Sequence, residues 1–178
     1  MGDAKTVTFA GNAGTLTFAM SGLSKIAGLP QMKMAWVIAS GPEGLRRRAL
    51  ERLEVIADTY LSPNAPVQLA TPAFLGQRHG FQRQLMARVR KNLAELDGQL
   101  VLQKSCGRLE VEGGWYAVLR VPATGSDEEL AIELLTKEDV YVHPGHFFDF
   151  PGDGYLVVSL IAREEEFAEG MRRLLSAF

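Results

Sequence analysis

The sequence predicts an α/β chain in three stretches: terminal strands of a larger sheet, a long linking helix, and a small α+β domain whose sheet is antiparallel or mixed. Three observations predict this. Residues 6–10, 15–20 and 34–39 are strand-like runs with no helical pattern before or between them. Phe81, Leu85, Val89, Leu93 and Leu96 recur at steps of four, four, four and three, the period of one helix face. After Gly98, short strand-like runs alternate with two amphipathic helical patterns.

Thr, Val and Phe enrich the first two runs, and Gly11-Asn12-Ala13-Gly14 between them is a turn signal. Residues 34–39 are apolar throughout, as in a strand buried on both faces. Ser40-Gly41-Pro42-Glu43 then opens a helix, because proline is tolerated in the first turn and Glu43 complements the dipole there. Its apolar face is Leu45, Leu50, Leu53, Ile56 and Ala57, and Arg46-Arg47-Arg48 are expected to pair with Glu51 and Glu54 on the solvent side. Residues 61–66 break this helix. The long helix begins near Pro66, with Pro72 as an early-turn or kink position, and runs to about Asp97. Its other face, with Arg78, Arg83, Arg88, Arg90 and Lys91, is expected to be solvated.

Strands are expected next at 100–103, 108–111 and 115–121, the last two joined by the hairpin signal Gly113-Gly114. Ser126-Asp127-Glu128-Glu129 matches a capping box and opens a helix to about Thr136. Residues 141–142 form a short strand, 143–154 a loop and 155–161 an apolar strand. Residues 164–178 close the chain as a helix, acidic at its start and carrying Arg172-Arg173 near its end, as the macrodipole prefers.

Composition narrows the function. Lys and Arg number 19 against 21 Asp and Glu, a net charge of −2, without the basic excess of a nucleic-acid or anionic-membrane binder. Apolar residues make up 47%, enough for a packed core. No run approaches the ~18 uninterrupted apolar residues of a membrane span. Neither a nucleic-acid nor a membrane partner is expected. The single cysteine, Cys106, excludes an intrachain disulfide and a cysteine-based zinc site and fits a cytoplasmic setting. It has no charge partner nearby in the sequence and is expected to be a structural thiol. His79, His143 and His146 lack metal-ligand spacing, so no metal is expected. Trp36 is expected to pack in the first sheet and Trp115 in the later hairpin.

Residues 21–33, Ser21-Gly22-Leu23-Ser24-Lys25-Ile26-Ala27-Gly28-Leu29-Pro30-Gln31-Met32-Lys33, are the most informative. Ser24-Lys25, then Gly28-Leu29-Pro30, then a basic residue eight places after the lysine, then an apolar run stand in a definite order. That order resembles the cofactor-lysine signature of the fold-type I, pyridoxal-phosphate-dependent aminotransferases of class I/II. Val142-His143-Pro144-Gly145-His146-Phe147-Phe148, ahead of a glycine-rich turn and a strand ending near Ser159, extends the resemblance over essentially the whole chain.

The resemblance implies pyridoxal 5'-phosphate as cofactor. It implies that Lys25 is the catalytic lysine that holds the cofactor and moves a proton between substrate and cofactor carbons. Ser24 and Lys33 would bind the phosphate. The first strands would belong to a large, mainly parallel sheet. Residues 1–60 would be the C-terminal remnant of the cofactor-binding domain, 61–97 a linking helical segment and 98–178 the small domain. The implied activity interconverts an amino acid and a 2-oxo acid, in a cytoplasmic homodimer. In the family the glycine-rich phosphate turn, the ring stacked on the cofactor and the aspartate at the pyridine nitrogen precede the lysine. Only 24 residues do so here, so the isolated chain is expected to be inactive.

Three positions depart from the family pattern. Lys33 replaces the usual arginine, a point charge in place of a planar fork. Gly22 stands where a serine is common, three before the lysine, with Ser21 one place further back. Val157, two before Ser159, stands where an arginine commonly holds the substrate carboxylate. Val157 leaves two other readings open: a different fold-type I reaction, lyase or synthase, or a non-catalytic binding or regulatory domain.

Overall fold

A computed structural model describes residues 8–178; residues 6 and 7 of the first expected strand lie outside it. Two compact units divide between residues 84 and 85, inside one continuous helix.

In the first unit, the described part of the first expected strand is not a strand. Phe9–Gly11 is a single 3-10 turn, capped by Thr8, whose hydroxyl accepts from the Ala10 N–H. Asn12 donates its N–H to the Phe9 carbonyl at 3.0 Å. These local bonds satisfy the backbone that a strand would leave to a ladder. β1 (Thr17–Gly22) and β2 (Ala35–Ser40) form a two-stranded antiparallel ribbon, paired from Thr17↔Ser40 to Gly22↔Ala35. All strand pairing among the described residues is antiparallel. The expected burial of residues 34–39 on both faces does not hold, since Val37 and Ile38 are 48% and 44% exposed. Trp36 is half-buried in β2.

α2 (Glu43–Asp58) begins after Pro42, with Glu43 in its first turn. Arg46 pairs back to Glu43 at 2.8 Å rather than forward to Glu51 or Glu54. Of this helix only Ala49 is buried, and Leu45, Leu50 and Ile56 of the expected apolar face stay exposed. A two-stranded ribbon offers too little apolar surface to cover an amphipathic helix.

α3 (Ala65–Val101) passes through Pro72 and Gly98 without a break. Of the strand expected at 100–103, residues 100 and 101 instead end this helix, and 102–103 lie just beyond it. Val89, Leu93 and Leu96 are buried and Leu100 packs against the same cluster, so the core continues the helical period past Gly98. Gln99 adds a bond from Nε2 to the Ala168 carbonyl at 2.9 Å.

The second unit holds β3 (Gly107–Arg108), β4 (Tyr116–Arg120), α4 (Asp127–Glu138), β5 (His143–Pro144), β6 (Tyr155–Ser159) and α5 (Glu164–Ser176). Its sheet runs β3-β4-β6-β5. The short strand expected at 141–142 pairs two residues later, at His143↔Val157 and Pro144↔Leu156. Ala117, Leu119, Val121, Leu156, Val158 and Leu160 form the core face of the sheet. Against it pack α3, Leu130 and Leu134 of α4, and Phe167, Met171 and Leu174 of α5. Each such side chain, once buried, contributes about 1.5–3 kcal/mol of transfer free energy. Asn92, 1% exposed, donates from Nδ2 to the carbonyls of Leu160 at 3.0 Å and Ala162 at 2.9 Å and so fixes the chain leaving β6.

The capping box at Ser126 and Glu129 forms in both directions. Cys106 is half-buried against the core, where burial pushes its thiol above the usual range, in keeping with a structural thiol. Trp115 packs against the same core. Among the described residues no helix is long and apolar enough to cross a membrane.

Candidate functional site

β1 runs directly into one helical turn, α1 (Leu23–Ile26). Leu23 is fully buried and anchors the turn. Its N–H donates to the Met34 carbonyl at 3.0 Å, and its own carbonyl accepts from Ala27 and Leu29, each at 3.1 Å. Ser24 follows half-buried, and Lys25 is exposed. Helix α3 pins the loop from the same unit: Gln82 Nε2 donates to the Ile26 carbonyl at 2.9 Å.

Gly28 is required twice over. Its φ of +68° lies in the left-handed region, and a Cβ there would come within 2.6 Å of the Phe81 ring. Gly22 is extended, so its constraint is space alone. A Cβ at Gly22 would lie 2.8 Å from the Met34 carbonyl oxygen. The close approach of β2 therefore leaves no room for a side chain at position 22.

Pro30–Met32 make a 3-10 turn that ends on Lys33, itself left-handed at φ 50°, ψ 37°. Left-handed backbone is uncommon for a lysine and marks a position held by its surroundings. Ser24 follows Leu23 and Lys33 precedes Met34, so the Leu23–Met34 bond brings both backbones to one junction, with Lys25 one residue beyond.

Val157 lies in the second unit, on β6. It is 2% exposed, opposite Val118 of β4 and His143 of β5, so neither cross-strand neighbour brings an arginine or lysine to it. The His143 ring sits among those of Tyr141, Phe147 and Phe148, at 5.1–6.2 Å between centroids. Among the described residues no group of three His, Cys, Asp or Glu side chains could hold a metal.

Two residues gain importance only in the structure. Gln82 reads in the sequence as one more polar residue of a long helix. Asp127 reads as a capping-box member, yet it is 1% exposed and its Oδ1 accepts from Gly154 N–H at 2.6 Å and Tyr155 N–H at 3.0 Å. Its own N–H donates to Asp153 Oδ1 at 3.1 Å. An acid in the first helical turn signals dipole complementation, and nothing local signals a partner in a distant loop.

The sequence model of the family described as aminotransferase class I and II matches residues 2–174. The chain belongs to this family. It is 25% identical over 181 residues to alanine aminotransferase of Mycobacterium tuberculosis (strain ATCC 25618 / H37Rv), covering 97% of this chain and 42% of that protein. Alanine aminotransferase from Pyrococcus furiosus superposes with a TM-score of 0.78 at 21% identity, over 93% of this chain and 43% of that one. The α-aminoadipate aminotransferase of Thermus thermophilus, solved with N-(5'-phosphopyridoxyl)-L-leucine, gives 0.67 at 25% identity, over 90% and 41%. The chain thus spans less than half the length of the curated relatives it matches.

In this member of the family, residues 21–33 supply hydroxyls and two ammonium groups and contain no carboxylate side chain. Such a donor set suits a phosphate ester beside a carbonyl carbon: hydroxyl and ammonium donors for the anion, and an amine as nucleophile.

Proposed function

We propose that this chain is the C-terminal part of a pyridoxal-phosphate-dependent aminotransferase that interconverts an amino acid and a 2-oxo acid. The observation that carries the proposal is the closed lysine loop, in which Ser24, Lys25 and Lys33 flank the Leu23–Met34 bond. The cofactor, when bound, supplies an aldehyde for the substrate amine and a ring that accepts the electrons of the α-carbon. Lys25 Nζ holds the cofactor at rest and carries the proton at the substrate α-carbon during transfer. The Ser24 hydroxyl and the Lys33 ammonium hold the phosphate. The left-handed backbone at Lys33 costs about 1–3 kcal/mol, a strain of the kind that concentrates at ligand sites. The T. thermophilus relative was solved with the phosphopyridoxyl group joined to an amino acid, which supports the same cofactor here.

On this proposal residues 1–60 belong to the cofactor-binding domain, 61–97 link, and 98–178 form the small domain. The exposed apolar residues of β2 and α2 support the continuation of the ribbon into a larger, mainly parallel sheet. A cytoplasmic homodimer is the assembly proposed.

Val157 favours a second reading within the same fold, a lyase or synthase. It provides no cation for an α-carboxylate at the place where the family commonly has one. A non-catalytic binding or regulatory domain also accommodates it. Amino transfer from a panel of L-amino acids to a 2-oxo acid, assayed on the full-length protein and its Lys25→Ala variant, decides between them. Transfer that disappears with Lys25 is expected. Lyase products without transfer, or no turnover at all, would replace the proposal with one of the other two.

A further inference from the structure

Two neighbouring residues of α3 hold the lysine loop, one on each side of Ala27. The Phe81 ring lies against Gly28, where a Cβ would come within 2.6 Å of it. Gln82 Nε2 donates to the Ile26 carbonyl at 2.9 Å. Lys25 stands between this bond and the Leu23–Met34 bond at the other end of the turn. All of these residues belong to the first unit.

α1 is four residues long, too short to keep its shape by helix propensity. The last carbonyls of a helix have no partner within it. At the first residue of this turn, the Leu23 carbonyl is taken by Ala27 and Leu29. At its last residue, the Ile26 carbonyl is taken by the Gln82 amide. The backbone that carries Lys25 is therefore set from both ends, by the ribbon at its start and by one side chain of α3 at its end. Leu23 is fully buried, whereas the Gln82 bond is only partly buried. Removing the Gln82 donor leaves the buried anchor in place and frees the Ile26 peptide to turn, and with it the direction of the Lys25 side chain.

We infer that Gln82 is a positioning residue for Lys25: its bond to the Ile26 carbonyl sets the reach of the Lys25 amine relative to Ser24 and Lys33. The inference deepens the aminotransferase reading and rests on it for what these three residues hold. A ligand held at two points, an anion at one and a carbonyl carbon at the other, gains when the second point is preset, because the second attachment is then intramolecular. That gain depends on a fixed separation between the two points, and the Gln82 bond fixes it. A neutral amide also ties the turn without adding a charge beside the phosphate-binding pair.

The test compares labelling of Lys25 by pyridoxal 5'-phosphate and by pyridoxal, each trapped with borohydride and mapped by mass spectrometry, in the 178-residue chain and its Gln82→Met, Gln82→Glu and Gln82→His variants. Met keeps the length without a donor, and an ionised Glu offers acceptors only. His, neutral above its ordinary pKa of about 6.5, keeps an N–H donor. The ratio of ester to pyridoxal label at Lys25 should fall about three- to tenfold in Gln82→Met and Gln82→Glu and recover in part in Gln82→His. Amide exchange at Ala27 and Leu29, both bound to the Leu23 carbonyl, should stay slow in all three and so report a loop that is still folded. A Gln82 that only stabilises the fold would lower the urea midpoint and leave the ratio unchanged, which would overturn the inference. A ratio that falls only where the protection at Ala27 and Leu29 is also lost would overturn it too. No preference for the ester in the unsubstituted chain would overturn the aminotransferase reading and the inference together, whereas a preference indifferent to Gln82 overturns the inference alone.

Discussion

The Gly28 α-carbon faces the ring of Phe81 so closely that a Cβ on Gly28 would stand 2.6 Å from Phe81 Cε2. This contact locks the loop carrying Lys25 and Lys33 against the first part of α3, beside the Gln82 bond to the Ile26 carbonyl. Gly28→Ala imposes both a left-handed alanine and a clash. It should destabilise the first unit by about 1–3 kcal/mol. Phe81→Leu in the same chain should relieve the clash but not the dihedral cost. Urea unfolding of the two single variants and the double variant separates the two contributions.

Lys33 is expected to act through its charge. In the full-length protein Lys33→Ala should weaken cofactor affinity about tenfold or more, the value of a charge-assisted bond to phosphate. Lys33→Arg should be tolerated, since the fork can replace the point charge. Unchanged affinity in Lys33→Ala would remove Lys33 from the phosphate site.

Asp127→Ala should destabilise the second unit by about 2–4 kcal/mol, because Gly154 N–H and Tyr155 N–H lose their buried acceptor together. Amide hydrogen exchange should accelerate at those two positions ahead of the rest of β6. Ser126→Ala, which removes only the cap of α4, should cost about 1 kcal/mol.

Stability should fall at acid pH through two identified carboxylates. Arg108, paired bidentately to Asp97 at 2.6 and 2.9 Å, holds the Asp97 carboxyl below its ordinary 3.8. Arg172 and Arg173 hold Glu169 down from 4.5 to about 2. For a depressed carboxylate the unfolded chain takes up protons first. The stabilisation is thus fully present above the unfolded values and is lost as pH drops from near 4.5 towards 2. Asp97→Asn and Glu169→Gln should each flatten the acid limb of a urea-midpoint profile.

Local chemistry was legible in the sequence wherever the deciding partners are near in the chain. The capping box at Ser126 and Glu129, the proline-led start of α2 and the Val89-Leu93-Leu96 face of α3 rest on short-range rules, and the structure shows each. Elements decided by distant partners were not legible. Residues 100–103 have strand composition, but Leu100 completes a helical face against a sheet formed later in the chain. Thr8 and Phe9 also have strand composition, but a hydroxyl cap and the Asn12 bond turn them locally. The lysine loop was legible as a motif. Its closure through the Met34 carbonyl, and hence the reason for Gly22, depends on the β1–β2 register, which no spacing reveals.

Borohydride trapping tests the assignment of Lys25 most directly. Limiting pyridoxal 5'-phosphate is added to the protein, reduced, and the labelled lysines are mapped by mass spectrometry, beside a control with pyridoxal lacking the phosphate. The account predicts that the phosphate ester labels Lys25 ahead of every other lysine, that Lys33→Ala erodes this preference, and that the control shows none. Label spread over the lysines alike with both reagents, or undiminished total label in Lys25→Ala, would contradict it.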